Sequence, residues 1–418
     1  MKRRSSFIFN FIKDIPVFIS IAILFVFAVL FFVLPLREFS ENENRMLAIC
    51  PEPSLETIFD GSFRKEYETY LSDQFPMRDE LLSFSVLSSR AEGKQRINDV
   101  IYAKEDDGKT RLIDDYKTPK NEDKFIDAVS RLYEGVESAD ITVMIVPTAY
   151  QFYEDEMPKV LLSQERARQQ DTFERLREGI AAIGNKSVAE DMPEGFGRSG
   201  GINIVEGITN SLEEGRNAGF NMYYRTDHHW TMHGAYRGYR ALAPYLKLPV
   251  DTALEDKMTI VSESFYGTTW SRVVDSSVLP DTIEIYENPA WENSLVVSYE
   301  DTKEVSSSPY NREYLDKKDK YSLYLNNQHS LIRIDNPGVD LTRTDGSKRR
   351  AIAIIKDSYA NSLIPLLIDR YETIWVFDPR YYRGSIVEWV NEHPEVEDVL
   401  VLYNLATMDN DRGLGAIY

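Results

Sequence analysis

The chain has 418 residues, 43% of them hydrophobic and 12% aromatic, which is enough apolar side chain for one or two substantial cores and excludes an intrinsically disordered protein. A formal charge of -20 and an isoelectric point near 4.8 argue against nucleic acid or anionic lipid as the main ligand, because both reward clustered Lys and Arg. The single cysteine, Cys50, cannot form an intrachain disulfide, so the fold must stand on its core.

The first element is an apolar run from Ile15 to Leu36. As a helix of about 22 residues it would measure roughly 33 Å, the thickness of a bilayer core. A secretory leader has a shorter apolar stretch and a small-residue cleavage site, whereas Pro35-Leu-Arg-Glu-Phe-Ser40 follows here. The expectation is an uncleaved single-pass anchor at a cell membrane. Lys2, Arg3, Arg4 and Lys13 precede the span, and Arg37, Glu38, Glu41, Glu43 and Arg45 follow it. That charge asymmetry puts residues 1–14 in the cytoplasm and everything after the span outside. Residues 37–53 read as a juxtamembrane tether and 54–418 as the extracytoplasmic domain; with no disulfide available, a bacterial surface suits it better than a eukaryotic lumen.

Phe63, Tyr67, Tyr70 and Leu71 fall at helical spacing, and the pattern continues past Pro76 into Leu81 to Leu87. Asp140 to Pro147 is a short β-branched run ending in proline, the signature of a strand covered on both faces. Helices are expected before it, Phe125 to Val136, and after it, Gln164 to Ile183. Ala351 to Ile355, Tyr371 to Phe377 and Asp398 to Tyr403 repeat the buried-strand pattern, with helices expected over Ala360 to Arg370 and Gly384 to Glu392. Alternating strands and helices predict an α/β layer around a mostly parallel sheet. Between Asn288 and Asn336 the pattern changes, with Tyr310, Tyr314, Tyr321 and Tyr324 near several lysines. This stretch is either an insertion facing substrate or an irregular solvated connection.

Of five histidines, three are His228, His229 and His233. In an extended segment residues i and i+2 project to the same side, so Asp227 can hold the imidazole of His229 while His228 points away. That pair supplies two members of a nucleophilic triad and needs a hydroxyl. Ser358 is the best placed, because it follows a buried strand and precedes a helix, at the sheet edge where ligands of open α/β folds bind. A helix start there would offer unpaired N–H groups to an oxyanion. Serine is also a favoured N-cap, which would explain Ser358 without any chemistry. The histidines have two further explanations. One is a metal site in which His229 and His233 share a helix face, joined by Asp227 or His228, although Trp230 stands where a zinc-protease helix carries glutamate; the other is a structural role. Asn327 and Asn404 are candidate oxyanion donors and Tyr381 a candidate sugar-cleft residue, each with a local turn, cap or packing role as the alternative.

Thr226-Asp-His-His-Trp-Thr231 resembles the signature of the DHHW protein family. The likeness extends to Phe39-Ser-Glu-Asn-Glu-Asn-Arg-Met-Leu-Ala48, Tyr70-Leu-Ser-Asp-Gln-Phe-Pro-Met-Arg-Asp79, Val146-Pro-Thr-Ala149, Phe265-Tyr-Gly-Thr268, Ile355-Lys-Asp-Ser-Tyr-Ala-Asn-Ser362 and Asp378-Pro-Arg-Tyr-Tyr382. That family is similar to the SGNH-hydrolase-like acetyltransferases of alginate O-acetylation, in which an Asp-x-His pair precedes the catalytic serine. The resemblance implies an SGNH-like fold, with Asp227, His229 and Ser358 in those three roles. It also implies an extracellular polysaccharide as acceptor and a membrane-bound O-acyltransferase as acetyl donor. Lys356-Asp-Ser358 departs from the usual Gly-Asp-Ser. Neither a cofactor nor a metal is expected. The enzymatic alternative is an esterase that uses water as acceptor, and the non-enzymatic one is a polysaccharide-binding or assembly protein.

Overall fold

The computed structural model describes residues 2–105, 107–115, 122–162, 164–189, 201–409, 413, 414 and 417. The chain divides into two units, one of residues 1–94 with 271–276 and one of residues 95–270 with 277–418.

In the first unit, helix α1 (Lys2–Val33) contains the window Ile15–Val33, whose mean hydropathy is 3.0 and none of which is buried. Strands β1 (Phe39–Ser40) and β2 (Arg45–Met46) form a short antiparallel ladder within the stretch expected as a tether. Helices α2 (Leu55–Phe59), α3 (Ser62–Asp73) and α4 (Arg78–Ala91) follow. Ser54 and Thr57 cap the start of α2 reciprocally. The helical pattern on either side of Pro76 forms two helices, α3 and α4, separated there because the residue before a proline is pushed out of the helical region.

The second unit opens with a three-stranded meander of β3 (Arg96–Ile97), β4 (Val100–Lys104) and β5 (Thr110–Asp114). Next come α5 (Glu122–Gly135), β6 (Asp140–Val146), α6 (Ala149–Phe152), α7 (Gln164–Ala189), β7 (Ile202–Ile204), α8 (Ile208–Asn217) and α9 (Met232–Leu242). A hairpin of β8 (Met258–Phe265) and β9 (Asp281–Tyr286) brackets α10 (Thr268–Ser271). The remaining elements are β10 (Val296–Tyr299), β11 (Glu304–Ser306), β12 (Leu331–Asp335), β13 (Ala351–Lys356), α11 (Ala360–Leu363), β14 (Thr373–Phe377), α12 (Ile386–Glu392) and β15 (Val396–Asn404).

Eight of these strands form one sheet in the order β11-β10-β12-β14-β13-β15-β6-β7. The half from β14 to β7 is parallel, and the half from β14 to β11 is antiparallel. The expectation of a mostly parallel sheet is therefore corrected to a mixed one. The stretch 288–336 contains β10, β11 and β12 and so supplies the antiparallel half. Burial alternates along β12, and only doubly covered strands give the continuous apolar runs by which a strand is recognised in the sequence.

The central parallel strands β6, β13 and β15 are buried on both faces. Ile141, Val143 and Ile145 of β6 face a core built with Phe125 and Leu132 of α5 and Leu176 and Ile180 of α7. Met144 and Val146 face the opposite core, with Leu212 of α8 and Ala235 and Leu242 of α9. The helix expected over Ala360 to Arg370 is α-helical only to Leu363 and continues as 3-10 turns. Pro365 has no N–H to donate back along an α-helix. The carboxyl ends of β13, β15 and β6 thus converge on one edge.

Candidate active site

The Asp-His-His-Trp segment is a tight loop. Tyr223 and Trp230 pair across it, Tyr224 N–H donates to His229 O at 3.1 Å, and Thr231 N–H to Met222 O at 2.9 Å. Thr231 caps α9 through Gly234 N–H, so His229 precedes the helix and cannot share a helical face with His233. His233 instead stacks on Phe220 and lies 3.1 Å from a Glu284 carboxylate oxygen, which removes the geometric basis of the metal alternative built on the two.

Asp227 and His229 do meet, but through a turn rather than an extended strand. The Asp227 Oδ1 atom accepts both the backbone N–H of His229 at 3.0 Å and its ring Nδ1 at 2.5 Å, a side-chain-to-backbone bond typical of Asx turns. Its Oδ2 atom accepts the backbone N–H of Thr268 at 2.7 Å and the Thr268 hydroxyl at 2.9 Å. That hydroxyl also contacts His228 Nδ1 at 2.8 Å. The Phe265-to-Thr268 segment therefore acts as the cradle of the carboxylate.

Across 129 residues of chain, His229 Nε2 lies 2.7 Å from Ser358 Oγ. Ser358 follows β13 and is held by its neighbours. Asp357 accepts Tyr359 N–H at 2.9 Å, Asn404 N–H at 2.7 Å and the Thr407 hydroxyl, which fastens the end of β13 to the end of β15. The N-cap explanation of Ser358 does not match this geometry, since Tyr359 occupies the cap position of α11 with no side-chain cap bond. The four residues of α11 also make a weaker dipole than the long helix expected.

In the sequence Tyr321 is only one of several tyrosines. In the fold its ring stacks on the His229 imidazole, centroids 3.8 Å apart and planes within 10°. Its hydroxyl donates to Ser358 O at 3.0 Å and lies 3.3 Å from Ser362 Oγ. Trp230 is fully buried, and its indole N–H donates to Tyr359 O and Ser362 Oγ, both at 2.9 Å. Tyrosine spacing alone carries no signal for the stack.

Of the secondary candidates, Asn404 lies at this edge, but both hydrogens of its amide go to carbonyls, of Val146 at 3.2 Å and Pro147 at 3.1 Å. It ties β15 to β6. Asn327 accepts from the Ser322 hydroxyl at 3.1 Å in a turn with φ of 76°, and none of its hydrogen bonds reaches Asp227, His229 or Ser358. Tyr381 is exposed and bonds Gln328. In the same segment Asp378 matters more: it is fully buried, 3.3 Å from the Lys356 ammonium, and accepts Arg380 Nε at 2.8 Å. Asp378 thereby compensates the buried charge of Lys356, two residues before Ser358.

Burial pushes the His229 pKa down, His228 adds to that, and Asp227 opposes it, leaving a value of about 4. The ring is neutral near pH 7, ready to take a proton. Burial alone would raise the Asp227 carboxyl, but His228, His229 and the Thr268 N–H overcome it and hold it well below the usual carboxylate range. Ligand atoms of Asp227, His228 and His229 lie within 4.8 Å of one another. Both ring nitrogens of His229 are already in hydrogen bonds, to Asp227 and to Ser358. Beside it is a cavity of about 80 Å³ lined by Leu112, Ile113, Tyr150, His228, Tyr359 and Asn404 among others.

Residues 205–377 match the model of the DHHW protein family, so the resemblance expected from the sequence holds. Among solved structures the chain is similar to a DHHW family protein from Eubacterium siraeum, with 22% identity over 77% of this chain and 95% of that one and a TM-score of 0.57. It is also similar to Bacillus cereus PatB1 in a form carrying a sulfonyl adduct, with 15% identity over 75% of this chain and 97% of that one and a TM-score of 0.53. At these identities the two likenesses speak to the fold alone. A looser likeness, at 10% identity and a TM-score of 0.41, is to the O-acetyltransferase domain of Pseudomonas putida AlgJ, covering 76% of this chain and 95% of that one. A search of curated proteins returns no match.

Proposed function

We propose that the chain is a membrane-anchored, extracytoplasmic O-acyltransferase that modifies a polysaccharide through an acyl-serine intermediate, with Ser358 as nucleophile, His229 as base and Asp227 as its orienting carboxylate. The observation that carries this reading is the unbroken contact chain Asp227–His229–Ser358, at 2.5 and 2.7 Å, within hydrogen-bond reach for proton transfer. In it, His229 Nε2 takes the Ser358 proton as Oγ attacks the donor's ester carbonyl. The bond to the donor alcohol breaks, and His229 returns the proton to that leaving oxygen. An acceptor hydroxyl then attacks the acyl-serine, His229 takes its proton, and Ser358 leaves as the restored hydroxyl.

An SGNH-hydrolase-like fold goes with this assignment, since the nucleophile follows a central parallel strand and the edge is closed by Asn404 of the neighbouring strand. Residues 15–36 would cross the membrane with 1–14 inside, 37–53 would lead out of it, and 54–418 would carry the outer domain, where a membrane-bound O-acyltransferase could deliver the acyl group. An oxyanion would need donors other than the amide hydrogens of Asn404.

The test is purified protein given an acyl-ester donor with and without an oligosaccharide, with products identified by mass spectrometry. Acyl transfer to sugar that disappears in Ser358→Ala is the expected result. Release of free acid unaffected by oligosaccharide would make the chain an esterase with the same triad, and full activity in Ser358→Ala would remove the serine mechanism. Glycan binding with no acylation of Ser358 would leave a binding protein.

A further inference from the structure

Among the described residues, helices α2 to α4 leave an apolar face exposed. Met77, Leu81, Phe84 and Leu87 recur at helical spacing along α4 and its N-cap and are all exposed, Phe84 by 69%, while Val86 on the other side is buried. On α2, Phe59 is 86% exposed. Soluble proteins seldom leave large aromatic and aliphatic side chains clustered in water.

Two observations say what covers this face. Phe75 and Tyr70 pack on α1 itself, with ring centroids 5.2 Å from Phe27 and 5.9 Å from Phe31. Both partners lie inside the apolar window Ile15–Val33, and Phe27 sits about 9 Å of helix rise before its end. Polar clamps then fix α3 and α4 to the chain just beyond α1. The Gln74 side chain bonds Arg37 through both its backbone N–H and its carbonyl, at 3.0 and 2.8 Å. Arg37 reaches Asp79 at 3.0 Å, and Arg45 grips the buried Asp73 with two bonds of 2.8 and 2.6 Å. The helices cannot stand away from the surface through which α1 emerges.

We infer that α2, α3 and α4 form a collar seated in the outer interface of the lipid bilayer, with Phe59, Leu81 and Phe84 facing the acyl-chain boundary. Amphipathic helices at interfaces sink by about 5–10 Å, which agrees with the depth at which Phe75 meets Phe27. The exposed charges of α3, Arg64, Lys65, Glu66 and Glu68, cancel, and α2 and α4 add the exposed Glu56 and Glu80, so the collar calls for zwitterionic rather than anionic lipid. The inference rests on the reading of α1 as a membrane span.

The test uses the full chain with Cys50→Ser, which leaves no native thiol. Single cysteines at Leu24, Phe59, Phe84 and Val305 carry an environment-sensitive fluorophore, and each protein is reconstituted into phosphatidylcholine vesicles with or without chain-brominated lipid. The expected result is loss of most emission at Leu24, Phe59 and Phe84 and none at Val305, which is exposed in the other unit. Quenching at Leu24 without quenching at Phe59 and Phe84 overturns the collar and keeps the anchor. If, in addition, Phe84→Cys chains left unlabelled form intermolecular disulfides on mild oxidation, the face belongs to a second copy. Absence of quenching at Leu24 overturns the anchor, and the collar with it.

Discussion

A Cβ atom on Gly267 would lie 2.2 Å from the Cβ of Asp227, so only glycine lets the loop approach closely enough for Thr268 to hold the carboxylate. Gly267→Ala must push Asp227 or the loop aside. Overpacking of this kind costs about 1–3 kcal/mol. Because misplacing a catalytic group by about 1 Å costs about 10²-fold in rate, the turnover loss should exceed what partial unfolding explains. Chemical denaturation and turnover measured on the same preparation check both.

Asp227→Asn keeps the shape and removes the charge. All four hydrogen bonds of this carboxylate come from donors, two to each oxygen, so an amide must turn its NH₂ toward two of them, at a cost of about 1–3 kcal/mol for each bond lost. Turnover should fall about 10⁴-fold, as in other Asp–His pairs whose carboxylate is neutralised. Comparison with Ser358→Ala tests whether the two act as a unit; if they do, the double variant is no slower than the slower single.

The depressed pKa of His229 sets the acid limb. The neutral ring is the active form, so kcat/KM should rise as pH climbs through the region of about 4, well below the ordinary value of 6.5. The same shift makes this histidine contribute stability that is present above pH 6.5 and is lost as the pH falls toward about 4, since the folded state then has to bury the charge. A pH–rate profile beside a pH series of denaturation midpoints measures the two effects. An acid limb near 6.5 would show that the ring is not desolvated as described.

Tyr321→Phe removes the hydroxyl bonded to Ser358 O and leaves the stack on His229. A single neutral hydrogen bond is worth about 1 kcal/mol, so turnover should drop by no more than about tenfold. Tyr321→Ala also removes the ring that walls the imidazole and should cost at least another order of magnitude, about 1.4 kcal/mol in barrier. Near-equal rates for the two variants would mean that the stack does not position the base.

The doubly buried strands β6, β13 and β15 are legible in the sequence because each is a continuous β-branched run, and Ser358 can be placed from the end of one of them. The i,i+2 spacing of Asp227 and His229 is right about their pairing but assumes an extended segment where the chain makes a turn. Sequence does not show anything built by alternation on half-covered strands, such as β10 and β12, or by contacts between distant segments. The stack of Tyr321 on His229, the cradle at Gly267 and Thr268, and the neutralisation of Lys356 by Asp378 all join residues many positions apart. The commitment of both Asn404 amide hydrogens to carbonyls is likewise invisible until the strand ends are side by side.

The 129 residues that separate His229 from Ser358 have a consequence for the timing of activity. Closing a chain segment of that length costs about 4 kcal/mol in entropy, and that cost is met only when β13 and the loop before α9 are held by the finished sheet and its two cores. Until then the imidazole of His229 and the hydroxyl of Ser358 are not held together. Under the proposed function, a newly made molecule would therefore be chemically silent while its sheet assembles.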